Sequence, residues 1–310
     1  PPVLSHGVSV HPRISVIVPS YNQGNFLERT LLSILNQNYP NIELIVIDGG
    51  STDNSTEVIN KYERFMSYWI SEPDDGQPSA INKGFAMATG DLIGWQNSDD
   101  LYLPGFFHAM AESLEMEPKA QLFTANVYII DENDRIIRRT HFTPFSQRYL
   151  IYQGWNLSSQ ATLMTRELID KVGAIREDIQ VGFDWDWFIR AGNVVKQTVL
   201  HRSVGGCYRI HSNSKLSRFR EDFRRPIYAQ ILLSHGIRVT TEVSLLQQNR
   251  LWRRLLRMRH FILAGLLYYP INDSASGLQG SLESMAQRAA SLLRPLVLWA
   301  LSKVGRTRVK

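Results

Sequence analysis

Apolar residues in the first hundred positions come in short, dense runs, each closed by a polar, turn-forming loop. Ile14-Ser15-Val16-Ile17-Val18 is β-branched and stopped by Pro19, which predicts a buried strand. Pro19 to Gly24 is a turn by composition. Asn25 with Glu28 three residues later has the form of a capping box, and Leu27, Leu31, Ile34 and Leu35 follow at helical spacing. The pattern then repeats. Ile42 to Ile47 predicts a second strand ending in Asp48-Gly49-Gly50-Ser51-Thr52-Asp53, with a helix from about Asn54 to Met66. Ser67 to Ser71 predicts a third strand, Pro78 to Ala88 a helix opening on proline, and Asp91 to Trp95 a fourth strand. Strands alternating with helices imply an α/β fold with a doubly wound, mostly parallel sheet flanked by helices. The first loop carries no GxGxxG, which argues against a dinucleotide fold.

Further along, Gln121 to Ile130 alternates and Arg135 to Thr140 follows an acidic turn, which predicts a small antiparallel hairpin. Gln160 to Met164 reads as a strand and Glu167 to Val172 as a short helix ending at Gly173. Apolar residues then crowd Gly182 to Gly192, a helix that opens with Asp184 and Asp186. At i and i+2 the two carboxylates point about 200° apart, so they cannot share one job.

Four loops thus bring Tyr21, Asp48, Asp74 with Asp75, and Asp99 with Asp100 to one sheet edge. The carboxyl edge is where open α/β sheets bind ligands. Hard cations such as Mg²⁺ or Mn²⁺ take one or two carboxylates plus substrate phosphates. A metal–diphosphate site is one reading of Asn97-Ser98-Asp99-Asp100. A polar turn capping a helix near Pro104 is the plainer one.

Charge changes the picture of the tail. Residues 201–310 carry 19 Lys and Arg against 5 Asp and Glu, leaving 15 against 24 over residues 1–200. An acidic body with a basic tail points to an anionic partner. The apolar stretch Phe261 to Tyr269 is too short to span a bilayer. Arg-rich segments bearing Trp252 and Trp299 fit attachment to an anionic membrane surface, or a basic helical cap on the body. Nucleic acid ranks third, since no binding module is visible. One cysteine, Cys207, excludes an internal disulfide. With no signal-peptide pattern at the start, it points to a cytoplasmic location, peripheral at the inner membrane face if the tail binds lipid.

Several stretches together resemble one known family. Ile14 to Asn22, Leu44 to Asp53, Ala80-Ile81-Asn82-Lys83-Gly84 and Asn97-Ser98-Asp99-Asp100 are similar, in order and spacing, to the large inverting family-2 glycosyltransferases with a GT-A fold. The resemblance covers roughly residues 13–215. It implies a GT-A catalytic domain there, with residues 216–310 as a basic, mainly helical C-terminal extension. It also implies a nucleotide-sugar donor, a Mn²⁺ or Mg²⁺ cofactor, and a glycan or lipid-linked glycan acceptor, as in bacterial surface polysaccharide or glycolipid assembly.

Carried over residue by residue, Pro19, Ser20 and Tyr21 would line the nucleotide pocket. Asp48 would meet the base edge, with Asp53 supporting its loop. Asn82 and Lys83 would belong to the donor site, as would Ser98. Asp99 would be the metal ligand, with Asp100 and His211 joining it, and Lys215 would reach the phosphates. Phe183-Asp184-Trp185-Asp186 stands where the family has its acidic helix start, which makes Asp184 the catalytic base. Two departures are visible. Asn97 replaces the usual Asp and would serve a ribose hydroxyl, and Phe183 replaces the usual Glu. Two other classes stay open. A nucleotidyltransferase of related fold would share the strand order and metal carboxylates, but its usual Gly-rich, basic first loop is absent here. A non-catalytic sugar-nucleotide-binding or scaffold protein stays open because of the two departures.

Overall fold

A computed structural model describes residues 11–152, 154–212, 214 and 221–237. All of them fall in one compact unit, Pro1–Gln247. The expected elements in the tail beyond Ile237, including the segments around Trp252 and Trp299, lie outside the described residues.

The four predicted strands are present as β1 (Ile14–Ser20), β2 (Ile42–Asp48), β3 (Tyr68–Ser71) and β4 (Leu92–Trp95). They pair in parallel in the order β3-β2-β1-β4, with Ile17 opposite both Ile45 and Trp95. Between them run α1 (Gly24–Leu35), α2 (Ser55–Tyr62) and α3 (Gln77–Met87). Strand order reverses at β1, so the crevice lies beyond the carboxyl ends of β1 and β4, where such sheets bind ligands.

Beyond β4 the sheet becomes mixed. The chain adds β5 (Leu101–Tyr102), α4 (Phe106–Met116), β6 (Leu122–Ile130), β7 (Ile136–Arg139), α5 (Gln147–Tyr152) and β8 (Thr162–Thr165). After them come α6 (Arg166–Val172), α7 (Phe183–Ala191), β9 (Thr198–Arg209) and α8 (Glu221–Ser234). β8 runs antiparallel to β4 and β6, β9 lies parallel to β6, and the expected hairpin is β6–β7. This mixed half brings the end of β9 against the loop after β4.

β1 is buried on both faces because helices cover both. Val16 and Val18 join the core under α1 and α4, while Ile17 joins the core under α3 and α7. Each such fully buried side chain is worth about 1.5–3 kcal/mol. The glycine of Ala80-Ile81-Asn82-Lys83-Gly84 has a packing cause: a Cβ at Gly84 would collide with the Ile17 side chain, so α3 lies close upon β1.

Several local expectations are corrected. Asn25 does not cap α1; the helix already begins at Gly24, and its first amides are served from the neighbouring loop. Asp53 Oδ2 accepts from the Gly24 N–H at 2.9 Å, and Ser55 Oγ from the Gln23 N–H at 3.0 Å. Tertiary partners replaced the local cap. Ser159–Ala161 is a short 3₁₀ turn, so the expected strand begins at Thr162. The helix near Pro104 begins at Phe106 behind Gly105, whose φ of 81° suits glycine, and Asp99 and Asp100 do not cap it. No described helix is long and apolar enough to cross a membrane.

Candidate active site

The acidic loop is held from several sides. Gln96 N–H donates to the Ile17 carbonyl, keeping the loop beside β1. The Thr30 hydroxyl on α1 bonds the carbonyls of Ser98 (2.9 Å) and Asp100 (2.8 Å), and Ser98 itself is buried. Within the loop the two carboxylates face different ways. Asp100 is fully buried and accepts from the Arg209 N–H (2.7 Å), Gln160 (2.8 Å) and Asn97 (2.9 Å), so both its oxygens are engaged. Burial first, then the Asp99 charge, pushes its carboxyl well above the usual range, while those three donors pull it back. Asp99 instead turns toward β9's end, where its Oδ2 lies 3.0 Å from His211 Nε2. The amide of Asn97 is used at both ends, by Gln77 (2.7 Å) and by Asp100.

Next to this loop stand the ends of β1 and β2. Tyr21 is 61% exposed, Pro19 is buried in β1, and the buried Ser20 hydroxyl has no hydrogen-bond partner among the described residues. Asp48 is buried and accepts from Ser51 N–H (2.8 Å), Ser51 Oγ (2.5 Å) and Ser71 Oγ (2.7 Å). Asp53 bridges Gly24 and Ser55, which ties the β2 loop to α1. Asp74 overhangs Gly49, close enough that a Cβ there would meet its Oδ1 at 2.9 Å. Burial pushes its carboxyl up; Asp48 and Asp75 add to the rise, while the Gly76 N–H and Lys83 oppose it.

On α3, Asn82 and Lys83 are both engaged by side chains or backbone of neighbouring segments. Asn82 ties α3 to the segment before α7, donating to the Ile175 carbonyl and accepting its N–H, both at 2.8 Å. Lys83 forms an ion pair with Glu72 at 2.7 Å. Lys215 lies outside the described residues.

Asp184 sits in the first turn of α7, partly exposed, with Trp185 N–H donating to its Oδ1 at 2.9 Å. Asp186, on the opposite side, is fully buried between Arg190 (3.0 Å) and His235 (2.9 Å), with Arg176 at 3.7 Å. The two carboxylates therefore stand in different surroundings, as the helical geometry demands. α8 packs across this turn: Tyr228 meets Trp185 edge-on at 5.0 Å, and a side chain at Gly182 (φ 79°) would strike its ring.

Burial first, then the charges of Asp100, Asp99 and Asp184, pushes the Tyr208 phenol above its usual range. Tyr208, Arg209, Gln160 and Phe26 were not singled out by sequence. The tyrosine and arginine close β9 just before His211, and that adjacency is the available signal.

The family model described as glycosyl transferase family 2 matches residues 15–173. An uncharacterised glycosyltransferase from Mycobacterium tuberculosis is 32% identical over 192 residues, 61% of this chain and 72% of that protein. Pasteurella multocida hyaluronan synthase is 28% identical over 198 residues, 63% of this chain but only 20% of that protein. Among solved structures, S. aureus TarS in complex with UDP-GlcNAc superposes with a TM-score of 0.60 at 17% identity, covering 87% of this chain and 79% of that one. The mannosyltransferase PcManGT from Pyrobaculum calidifontis, in complex with GDP-Man and Mn²⁺, gives 0.56 at 15% identity, covering 97% and 89%. At these identities the solved structures establish the fold, which is GT-A.

Proposed function

The chain belongs to glycosyl transferase family 2, and from that premise we propose that it moves a sugar from a nucleoside-diphosphate sugar to a hydroxyl acceptor with inversion, Asp184 acting as base. The observation that supports this reading is the pairing of Asp99 with His211, 3.0 Å apart at the end of the loop after β4. The segment before α7 is tied to the neighbouring loop, with Gln180 donating to the Asp75 carbonyl at 2.8 Å.

Asp184 takes the proton of the acceptor hydroxyl as that oxygen attacks the anomeric carbon. The new carbon–oxygen bond forms on one face while the bond to the diphosphate breaks on the other, and the nucleoside diphosphate leaves with its electron pair. Trp185 N–H and the helix start hold Asp184 in place for this step. Holding donor and acceptor together supplies the proximity contribution. Tyr21, exposed at the mouth, offers a ring to the base, and Asp48 with its serines shapes the pocket floor.

A divalent cation fits the residues present. Asp99 and His211 offer one oxygen and one nitrogen side by side, while Asp100 is consumed by three donors. Two protein ligands suit a cation that keeps waters and substrate phosphates as its remaining partners. Asp99 and His211 would hold it, and when bound it would neutralise charge on the departing diphosphate. The likeness to a structure containing GDP-Man and Mn²⁺ supports this choice of cofactor class.

A glycan or lipid-linked acceptor, within bacterial surface polysaccharide assembly, is supported by partial similarity to a hyaluronan synthase and by the basic tail. Loss of co-sedimentation with anionic vesicles on truncation after Arg238 tests the tail's part in it. The central test is Asp184→Asn. Nucleotide-sugar should bind as in wild type while transfer falls by several orders of magnitude; transfer near the wild-type rate would sink the base assignment. Release of nucleoside diphosphate, rather than pyrophosphate, separates this reading from a nucleotidyltransferase.

A further inference from the structure

A charged side chain buried beneath the acidic loop has no role in the scheme above. Arg209, the last residue of β9, is 1% exposed. Burying a guanidinium costs several kcal/mol before its partners repay it, and an apolar residue of similar volume often serves stability as well. Here Nη2 is buried without a hydrogen-bond partner among the described residues, so the repayment is incomplete. What the residue gains is geometry.

Three of its contacts lead to the surroundings of Asp99 and His211. Nε donates to the Asp99 carbonyl at 2.6 Å, fixing the peptide that carries that carboxylate. Its own N–H donates to Asp100 Oδ1 at 2.7 Å, securing the next residue of the loop. The guanidinium carbon lies 5.0 Å from the centre of the Phe26 ring, and that ring in turn stands 4.6 Å from the imidazole of His211. From the far side Nη1 is gripped by the Asp131 carbonyl (3.0 Å) and the Asp134 carboxylate (2.5 Å) in the β6–β7 turn. Asp134 also pairs with Arg29 at 2.6 Å, and the two arginines hold its carboxyl below the usual range against the effect of burial.

We propose that Arg209 is a positioning residue: anchored by the β6–β7 turn through Asp134, it sets Asp99 against His211. The proposal deepens the reading of Asp99 and His211 as cation ligands, but the Asp99–His211 contact it explains exists without a cation. A planar fork with Nε and Nη1 directed to different partners is what lysine lacks. Arg209→Lys therefore keeps the charge and loses the geometry.

The test uses full-length protein labelled with ¹⁵N-histidine, without metal, with Asp99→Asn marking the His211 ring signals when the pairing is altered. In Arg209→Lys the His211 signals should move most of the way to the Asp99→Asn positions. In Asp134→Asn, a change at a half-exposed turn residue that keeps the side chain's shape, they should move part of the way. Mn²⁺ affinity, read from the electron paramagnetic resonance of free Mn²⁺ with no donor present, should fall about tenfold or more in Arg209→Lys, as is usual when a supporting partner of a ligand is lost. His211 signals unmoved in folded Arg209→Lys would overturn the proposal. Should that variant not fold, unmoved signals in Asp134→Asn would overturn it equally. If the wild type binds no Mn²⁺, the cation reading fails by itself, and the histidine signals still decide the role of Arg209.

Discussion

His211 Nε2 stands 3.0 Å from Asp99 Oδ2 although 112 residues separate them, because β9 ends against the loop that β4 begins. If the proposed cation site is right, a pair assembled from the ends of two strands is lost when either side chain goes. Asp99→Asn and His211→Ala should each weaken Mn²⁺ binding by at least the 10–100-fold that loss of an outer partner typically costs. Titration of activity against Mn²⁺ at saturating donor checks this. An unchanged midpoint in both variants would remove the pair from the cation site.

Asp186 predicts a different phenotype from Asp184, two positions earlier on the same helix. It is buried and paired with Arg190 and His235, so it anchors α7 to α8 rather than facing the crevice. Removing one member of a buried charge pair strands the others, at about 3–5 kcal/mol when they are fully buried. Arg190 and His235 are partly exposed, so Asp186→Ala should cost about 2–3 kcal/mol in urea unfolding. Asp184→Asn should leave the urea midpoint within experimental error. Equal destabilisation by both would contradict the division of labour.

The divergent placement of Asp184 and Asp186 was legible in sequence, since i and i+2 on a helix must point apart. The parallel strands were legible too, because β-branched runs closed by Pro19 or Asp48 leave few alternatives. What sequence could not supply was the partner of each polar side chain. Asn25 with Glu28 fits a capping box, yet Asp53 and Ser55 reach the first amides of α1 from 29 and 32 residues away. Asp99 and Asp100 look equivalent as letters. Only the arrival of Arg209 and Gln160 turns one inward and leaves the other facing His211. β5, two residues long, exists because β9 is there to pair with it, and no local pattern predicts it.

Gly84 offers a test of packing distinct from chemistry. An added Cβ would collide with Ile17, so Gly84→Ala must push α3 off β1, at about 1–3 kcal/mol for overpacking. Combining it with Ile17→Ala should recover part of that loss, because the substitutions share one space and cannot be additive. Denaturant midpoints of the two single variants and the double variant check it. Strict additivity would place the strain elsewhere.

Glu43 predicts the acid limb of the stability profile. It lies on β2 beside Ser15, at the sheet edge opposite the site, and is 4% exposed. Burial alone would raise its carboxyl. The Ser15 hydroxyl (2.5 Å), Thr89 N–H (2.7 Å), Thr89 hydroxyl (2.9 Å) and Arg13 (2.8 Å) overcome that, and the net shift is downward. A carboxyl held lower when folded than when unfolded binds fewer protons in the native state. Its stabilisation is therefore complete above the unfolded value near ~4.3 and is lost as pH falls through the lower folded value. Glu43→Gln should cost about 2 kcal/mol at pH 7, the scale of a hydrogen-bonded charge, and the gap to wild type should close as pH drops below about 4. Urea unfolding at pH 7, 5, 4 and 3 measures the gap directly. A gap that stays constant across that range would mean the charge of Glu43 contributes nothing, and that its hydrogen bonds act as neutral ones would.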